Sequence, residues 1–367
     1  MSRPIPFRRS GIRFVLLVPA LVALGWGFLH RENISAQVLP TATVVPRPGE
    51  AEVWFSRPQE FDGRYVGGPD EALVRAIDAA QCCVDAAVYD FDLLSVARAL
   101  LRANSRGATV WIVTDSDNTN NEAIGLLRAE GIPVVGDERE ALMHDKFVVV
   151  DRRDLWAGSM NLTVNDAYRN DNNFLHLHSQ ALAELFTAEF EEMFVGKLFG
   201  AASPRGAPAA PVDTGVGSVQ ALFAPEDQVA RHVVELIRRA RKSIHFLAFS
   251  FTSTQITDAL LERVAGGVAV SGVMETTQAK SNSTTQWNAL RQGGAAVYLD
   301  ANPRNMHHKV IVIDGEIVIT GSYNFTESAE NKNDEDLLIV WNAGWAEAFE
   351  KEFQRIYDLA VRNTPGP

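Results

Sequence analysis

The stretch HHKVIVIDGEIVITGSYN, residues 307–324, decides how this chain is built, and HDKFVVVDRRDLWAGSMN, residues 144–161, repeats the decision. Both fit His-x-Lys-x4-Asp-x6-Gly-Ser-x-Asn, one copy starting at His144 and the other at His307. In the second copy the β-rich runs 310–313 and 316–320 flank Asp314-Gly315, a strong hairpin signal. The first copy is expected to turn more loosely, across 151–154. Residues two apart on a strand share a face. His307 therefore lies beside Lys309 and His144 beside Lys146, while His308 points the other way. The returning strand brings Ser322 and Asn324, or Ser159 and Asn161, back to the same end.

The two copies sit in equivalent places of a longer repeat. Each half reads as a helix (69–80; 225–241), a strand (84–91; 244–251), a second helix (93–103; 255–264), a second strand (108–115; 268–275) and a third helix. The motif hairpin follows, and a long amphipathic helix closes the half (180–194; 345–357). Alternating strands and helices predict an α/β fold. The expectation is two repeated α-β-α halves, each a mixed sheet flanked by helices, arranged as a pseudo-two-fold dimer within one chain. The halves span 51–199 and 218–362. Between them, GAASPRGAPAAPVDTGVG (200–217) reads as a linker or long surface loop.

The amino terminus is of another kind. Arg3, Arg8, Arg9 and Arg13 precede an apolar run over 14–29, so 1–36 reads as a signal-anchor or signal peptide, with the retained anchor favoured. A Pro/Thr-rich tether (37–50) follows. The basic side stays in the cytoplasm. This predicts a membrane-anchored or exported protein whose body lies on the extracytoplasmic side of a bacterial-type cell membrane. The whole chain carries a net charge of −12, and the arginine-rich segment 1–40 conceals a body that is still more acidic. Such a body lacks the long-range attraction that non-specific polyanion binders use. Cys82 and Cys83, adjacent in an apolar run, read as small buried strand residues and form no disulfide framework.

Imidazole, ammonium, hydroxyl and amide gathered at one hairpin end suit attack on phosphorus. Imidazole is a competent nucleophile near neutral pH, its ordinary pKa being about 6.5. Lysine, serine and asparagine donate to phosphoryl oxygens as charge rearranges, and the glycine lets a phosphate approach the backbone. One hairpin offers one histidine, whereas the reaction uses two, one to attack and one to protonate the leaving oxygen. Two facing copies supply both. A lysine on the same face as each histidine repels a cation, so no metal site is expected. His176, His178 and His245 read as ordinary strand positions. Lys280 and Trp287, in the polar loop after the second strand of the second half, are candidate substrate contacts.

These motifs resemble those of the phospholipase D superfamily, the HKD phosphodiesterases, and the resemblance covers nearly all of 51–360. It implies a phosphohistidine intermediate, no cofactor, and one site at the interface of the halves. On that resemblance the catalytic set is His144, Lys146, Asp151, His307, Lys309 and Asp314, the aspartates mainly structural. Ser159, Asn161, Ser322 and Asn324 hold or support the phosphate, and His144 is the expected nucleophile. Family members often carry a downstream acid that bonds a catalytic histidine. Glu335 fits in NDED, but the matching residue in NDNN is Asn172. The two histidines are therefore expected to differ in basicity, and so in role. The implied substrate is a phosphodiester, with a phospholipid head group favoured by the anchor. A metal-independent endonuclease is the alternative, since the run GSYNFTESAENKNDED resembles small bacterial nucleases. Phosphatidyl transfer and a non-catalytic binding protein are further alternatives. Nothing in the sequence calls for an obligate protein partner.

Overall fold

Hydrophobic alternation and helix caps lay out two copies of one architecture. The computed structural model describes residues 42–43, 51–58, 65–215 and 217–364. The apolar amino-terminal segment and most of the tether lie outside the described residues. Among those described, no helix is long and apolar enough to cross a membrane.

The first half runs β1 (Ala42–Thr43), β2 (Ala51–Phe55), α1 (Asp70–Ala79), β3 (Cys83–Val88), α2 (Leu94–Ser105), β4 (Thr109–Thr114), α3 (Glu122–Ala129) and β5 (Val134–Gly136). Its motif hairpin is β6 (Lys146–Val150) and β7 (Asp154–Gly158), followed by α4 (Val164–Tyr168), β8 (Asn173–His178) and α5 (Gln180–Phe194). The second half repeats this with β9 (Val212–Asp213), β10 (Ser218–Ala224), α6 (Val229–Arg239), β11 (Ser243–Ala248), α7 (Thr254–Ala265) and β12 (Ala269–Met274). Then come α8 (Thr276–Ser281), α9 (Trp287–Gln292), β13 (Ala296–Leu299) and the hairpin β14 (Lys309–Ile313) and β15 (Ile317–Gly321). The chain closes with α10 (Glu327–Asn331), β16 (Glu335–Trp341) and α11 (Ala343–Asn363).

The first sheet has the order β1-β2-β8-β7-β6-β3-β4-β5, and the second β9-β10-β16-β15-β14-β11-β12-β13. In each, the strands after the first helix pair in parallel (β3-β4-β5; β11-β12-β13), and the remaining neighbours pair antiparallel. Both sheets are buried on both faces, which is why their strands read as near-continuous apolar runs. Along β6, Phe147 and Val149 face inward, and Val148 and Val150 outward. Along β14, Val310 and Val312 face inward, and Ile311 and Ile313 outward.

The inner faces of both sheets, with α5 and α11, form one shared core. Phe55 packs edge-on to Phe349 of the other half, ring centroids 5.1 Å apart, and Phe186 does the same with Phe223 at 5.0 Å. Each such buried ring contributes on the order of 2 kcal/mol, so the halves are bound as firmly as a domain interior. The outer faces are covered separately, by α1, α2 and α3 on one side and by α6, α7 and α9 on the other.

Three sequence expectations change. Each half opens with a strand, not a helix. In β2 and β10 the inward residues (Val53 and Phe55; Val219, Ala221 and Phe223) alternate with outward ones, but each strand lies just behind a Pro-rich stretch and carries no turn signal of its own. Helix α6 starts at Val229 rather than at 225, because residues 225–227 form a turn closed by Asp227, whose carboxylate accepts the Phe223 amide at 2.9 Å. The two hairpin turns are alike rather than one loose and one tight. Asp151 and Arg152 both have left-handed backbone, as do Asp314 and Gly315, so both turns are of the primed kind. They close with the Arg153 amide donating to the Val150 carbonyl at 3.1 Å and the Glu316 amide to the Ile313 carbonyl at 3.0 Å. Arginine occupies a position where glycine would be unstrained.

Candidate active site

The start of each motif is pinned to the other half. The His144 amide donates to the Asp334 carbonyl at 2.9 Å, and the His307 amide to the Asp171 carbonyl at 2.8 Å. The first motif residue of one half thus lies beside the strand that follows the motif in the other. Both motif lysines are buried, and each Nζ donates to the carbonyl of its own histidine at 2.7 Å. Lys146 sits over the Tyr89 ring and Lys309 over Phe249, rings that also pack on His144 and His307. Tyr89 and Phe249 occupy equivalent positions just past β3 and β11 in the repeated runs VYDF and AFSF, so the repeat itself carried a signal for them.

The partners of the histidines cross between halves. His144 Nδ1 lies 2.6 Å from Glu335 Oε2, and His307 Nδ1 lies 2.9 Å from Asn172 Oδ1. The serines hold these partners rather than facing the cleft. Ser322 Oγ donates to Glu335 at 2.7 Å, and Ser159 Oγ to Asn172 at 2.9 Å. With Nδ1 occupied, Nε2 is the free nitrogen of each ring. His144, His307, Asn161 and Asn324 line one open cleft of about 1020 Å3, together with Tyr89 and Phe249. Its far wall is built of uncharged polar residues around α8, Gln278, Asn282, Ser283, Thr284 and Gln286 among them.

The site is crowded with cations. Burial pushes His144 down to about 4, with Glu335 pulling upward and Lys146 and Lys309 pushing further down. Burial, then Lys309, Lys146 and His144, holds His307 well below its ordinary value. Burial lowers Lys146, against the pull of Glu335 and Asp336. Lys309 falls well below the usual lysine range through burial and the repulsion of Lys146. An anion placed between the halves relieves all four groups at once. Burial and the lysines favour the unprotonated form of both rings in the free site, and an anion there would favour a proton.

This geometry, doubled in one chain, is matched by sequence. The family model described as cardiolipin synthase, PLD-like domain, matches residues 73–194 and again 233–357, about two thirds of the chain. The chain belongs to the phospholipase D superfamily. The human mitochondrial cardiolipin hydrolase is 37% identical over 124 residues, which are 33% of this chain and 49% of that protein. The phospholipase D of Rickettsia bellii (strain RML369-C) is 31% identical over 131 residues, 36% of this chain and 65% of that one. The chain thus spans about half to two thirds of the length of these curated relatives. Among solved structures, the phosphatidylserine synthase of Haemophilus influenzae Rd KW20 has a TM-score of 0.63 at 13% identity, covering 87% of this chain and 88% of that one. At that identity the likeness is one of fold alone, and it runs over nearly the whole described body.

Not every residue of the phospholipase D signature reaches the cleft. Asp151 and Asp314, which the resemblance groups with the catalytic residues, sit at the turn end of the hairpin. The strand between Lys309 and Asp314 spans roughly 16 Å. The Asp314 carboxylate accepts the amides of Arg241, Lys242 and Ser243 at 2.9, 2.7 and 3.0 Å. Asp151 does the same for residues 81–83. They tie the hairpin to the chain entering β11 and β3. Partial burial raises both carboxyls, but those amides outweigh it and hold them below the usual range. The glycines serve strand packing, not phosphate approach. A Cβ on Gly321 would meet the Asp336 carbonyl oxygen at 2.3 Å, and one on Gly158 the Asn173 oxygen at 2.5 Å.

The remaining expectations fall outside the cleft. Lys280 and Trp287 line a separate 400 Å3 pocket with Arg291 and Tyr298. His176 and His178 both bond Asp154, and His245 bonds Glu350, all on strands away from the cleft. His308 points away from it, towards Asn173 and Glu352. Cys82 is exposed in the turn before β3 rather than buried on the strand, and both cysteines are free. Sequence reasoning missed Asp166, a buried acid on α4 whose Oδ2 lies 3.5 Å from His307 Nδ1.

Proposed function

We propose that the chain is a phosphodiesterase that cleaves the head-group ester of a phospholipid, releasing the alcohol and leaving phosphatidate. The observation that carries the reading is the cleft. Both histidines and both asparagines face it, and its walls are mainly hydroxyl and amide groups, with Glu327 the one acid among the described residues. Among the described residues, no arginine or lysine lines it, and the motif lysines are buried behind the histidines whose carbonyls they bond. A polyanion needs a basic track along its backbone, whereas a single diester with a small polar head group needs only the local charge of Lys146 and Lys309. The names of the curated relatives agree with this choice, as does the basic and apolar amino terminus, which would hold the body at the extracytoplasmic face of a membrane.

His144 is the nucleophile in this reading, because Glu335 anchors its Nδ1–H and stabilises the positive ring that forms on attack. Its Nε2 forms a bond to phosphorus while the bond from phosphorus to the leaving oxygen breaks. His307 Nε2 gives that oxygen its proton. Water then attacks the phosphohistidine and yields a proton to His307, and the P–N bond breaks. The net change is diester plus water to monoester plus alcohol. Lys146 and Lys309 neutralise the phosphoryl oxygens throughout.

The test uses the purified chain on a phospholipid panel and on single- and double-stranded DNA, in EDTA, beside His144→Ala and His307→Ala. Phosphatidate release that survives EDTA and is lost in both variants is the expected result. DNA cleavage without lipid turnover would overturn the lipid reading, and activity abolished by EDTA would overturn the histidine mechanism.

A further inference from the structure

The two halves are not equally equipped with carboxylates. His144 has Glu335 against its ring, whereas the equivalent position opposite His307 is the neutral Asn172. The groups packed against His307 are mostly cationic or neutral. Lys309 lies on its own strand, Lys146 comes from β6, and His144, His308 and Phe249 are beside it. An amide orients an imidazole but does not balance the charge of an imidazolium, and an uncompensated buried charge is costly.

Asp166 supplies what Asn172 lacks. It is 2% exposed and has no counterpart in the second half, where α10 carries Ala329 at the same position. Its Oδ2 lies 3.5 Å from His307 Nδ1 and accepts both the backbone amide and the side-chain Nδ2 of Asn161 at 2.7 Å. Its Oδ1 accepts from Asn170, and its backbone carbonyl holds the Asn172 side-chain amide at 3.2 Å. One residue therefore touches the second histidine, orients that histidine's hydrogen-bond partner and clamps an asparagine that lines the cleft. Its charge also favours the protonated forms of Lys146 and Lys309.

We propose that Asp166 is the positioning residue of His307: a carboxylate delivered from α4 in place of the missing strand acid, which balances the ring while it carries the proton for the leaving oxygen. This rests on the reading of His307 as proton donor. The role belongs to the step in which the leaving alcohol departs, so it has a signature that a merely structural residue lacks. An alkoxide leaves only with a proton, whereas nitrophenolate leaves without one.

The experiment measures the single-turnover rate of phosphoenzyme formation for Asp166→Asn and Asp166→Ala in the full chain. One substrate is bis(p-nitrophenyl) phosphate. The others have alkyl leaving groups, a short-chain phosphatidylglycerol and an oligonucleotide, and whichever the wild type cleaves is used. Ala329 on the equivalent helix shows that alanine fits this position, so at least one variant is expected to fold, which thermal unfolding verifies. A change of one unit in the donor's pKa is tenfold, so the alkyl rate is expected to fall by about tenfold or more while the nitrophenyl rate changes by less than about threefold. Adding Asn172→Glu to Asp166→Asn is expected to restore the alkyl rate, since Glu335 beside Ser322 shows how a glutamate sits there. Equal losses on both leaving groups, or no rescue, would overturn the proposal. Failure of the wild type to turn over any of the diesters would instead overturn the parent reading.

Discussion

Replacing Glu335 by glutamine keeps the shape of the site and removes one charge. The carboxylate lies 2.6 Å from His144 Nδ1, is 1% exposed, and also receives Ser322 Oγ at 2.7 Å and Asn333 Nδ2 at 3.1 Å. His144 is neutral before attack and becomes a positive phosphoimidazolium afterwards. The lost attraction between centres about 4 Å apart is on the order of 4 kcal/mol at an effective dielectric near 20. Much of it acts in the transition state, where each 1.4 kcal/mol is about tenfold, so the rate of phosphoenzyme formation should fall by roughly two to three decades. A glutamine amide can also donate to Nδ1 and select the ring tautomer with its proton on the attacking nitrogen, which acts in the same direction. The assay is rapid-quench trapping of the phosphoenzyme with bis(p-nitrophenyl) phosphate, beside a thermal melt. A Glu335→Gln chain that melts like wild type and labels within about threefold of its rate would refute the assignment of Glu335 to the nucleophile, given the size of the Coulomb effect expected.

Burial and the lysines hold His144 at about 4, and attack needs that ring unprotonated, while His307, held well below 6.5, must carry a proton for the leaving oxygen; kcat/KM with an alkyl leaving group should therefore pass through a maximum well below 6.5 and fall with pH at 6.5, and a rate still rising there would place another group in control. Gly321→Ala puts a methyl 2.3 Å from the Asp336 carbonyl oxygen and forces β15 from β16, costing about 3 kcal/mol or more in denaturant unfolding. Asp314→Ala removes three amide acceptor contacts at the hairpin turn and should cost about 1–2 kcal/mol of stability while leaving kcat within about twofold of wild type, as measured by melting and steady-state rates.

The motif strands were legible as continuous apolar runs separated by a turn. In β6 and β14, period-two burial on both faces leaves one register possible, since a shift of one residue would exchange the two cores. The strands β2 and β10 were hidden although they alternate, because each lies directly behind a Pro-rich stretch with no turn signal to mark where it begins. The signature aspartates, grouped with the catalytic set by resemblance, were read as mainly structural without their partners. Spacing showed that they recur, and only their contacts with backbone amides 68 to 73 positions away showed that they pin a turn.

The sequence by itself determined the chemistry on each hairpin. Strand period places His beside Lys, the turn brings back Ser and Asn, and repetition supplies two sets. Tertiary structure alone decided which partner meets which ring. Glu335 reaches back 191 residues to His144, Asn172 meets His307 across 135, and Asp166 arrives from a helix that one half equips and the other does not. Local spacing sets the face on which a side chain stands. What stands opposite is set by the packing of two sheets on one shared core, and the unequal charge there is what makes two like histidines differ.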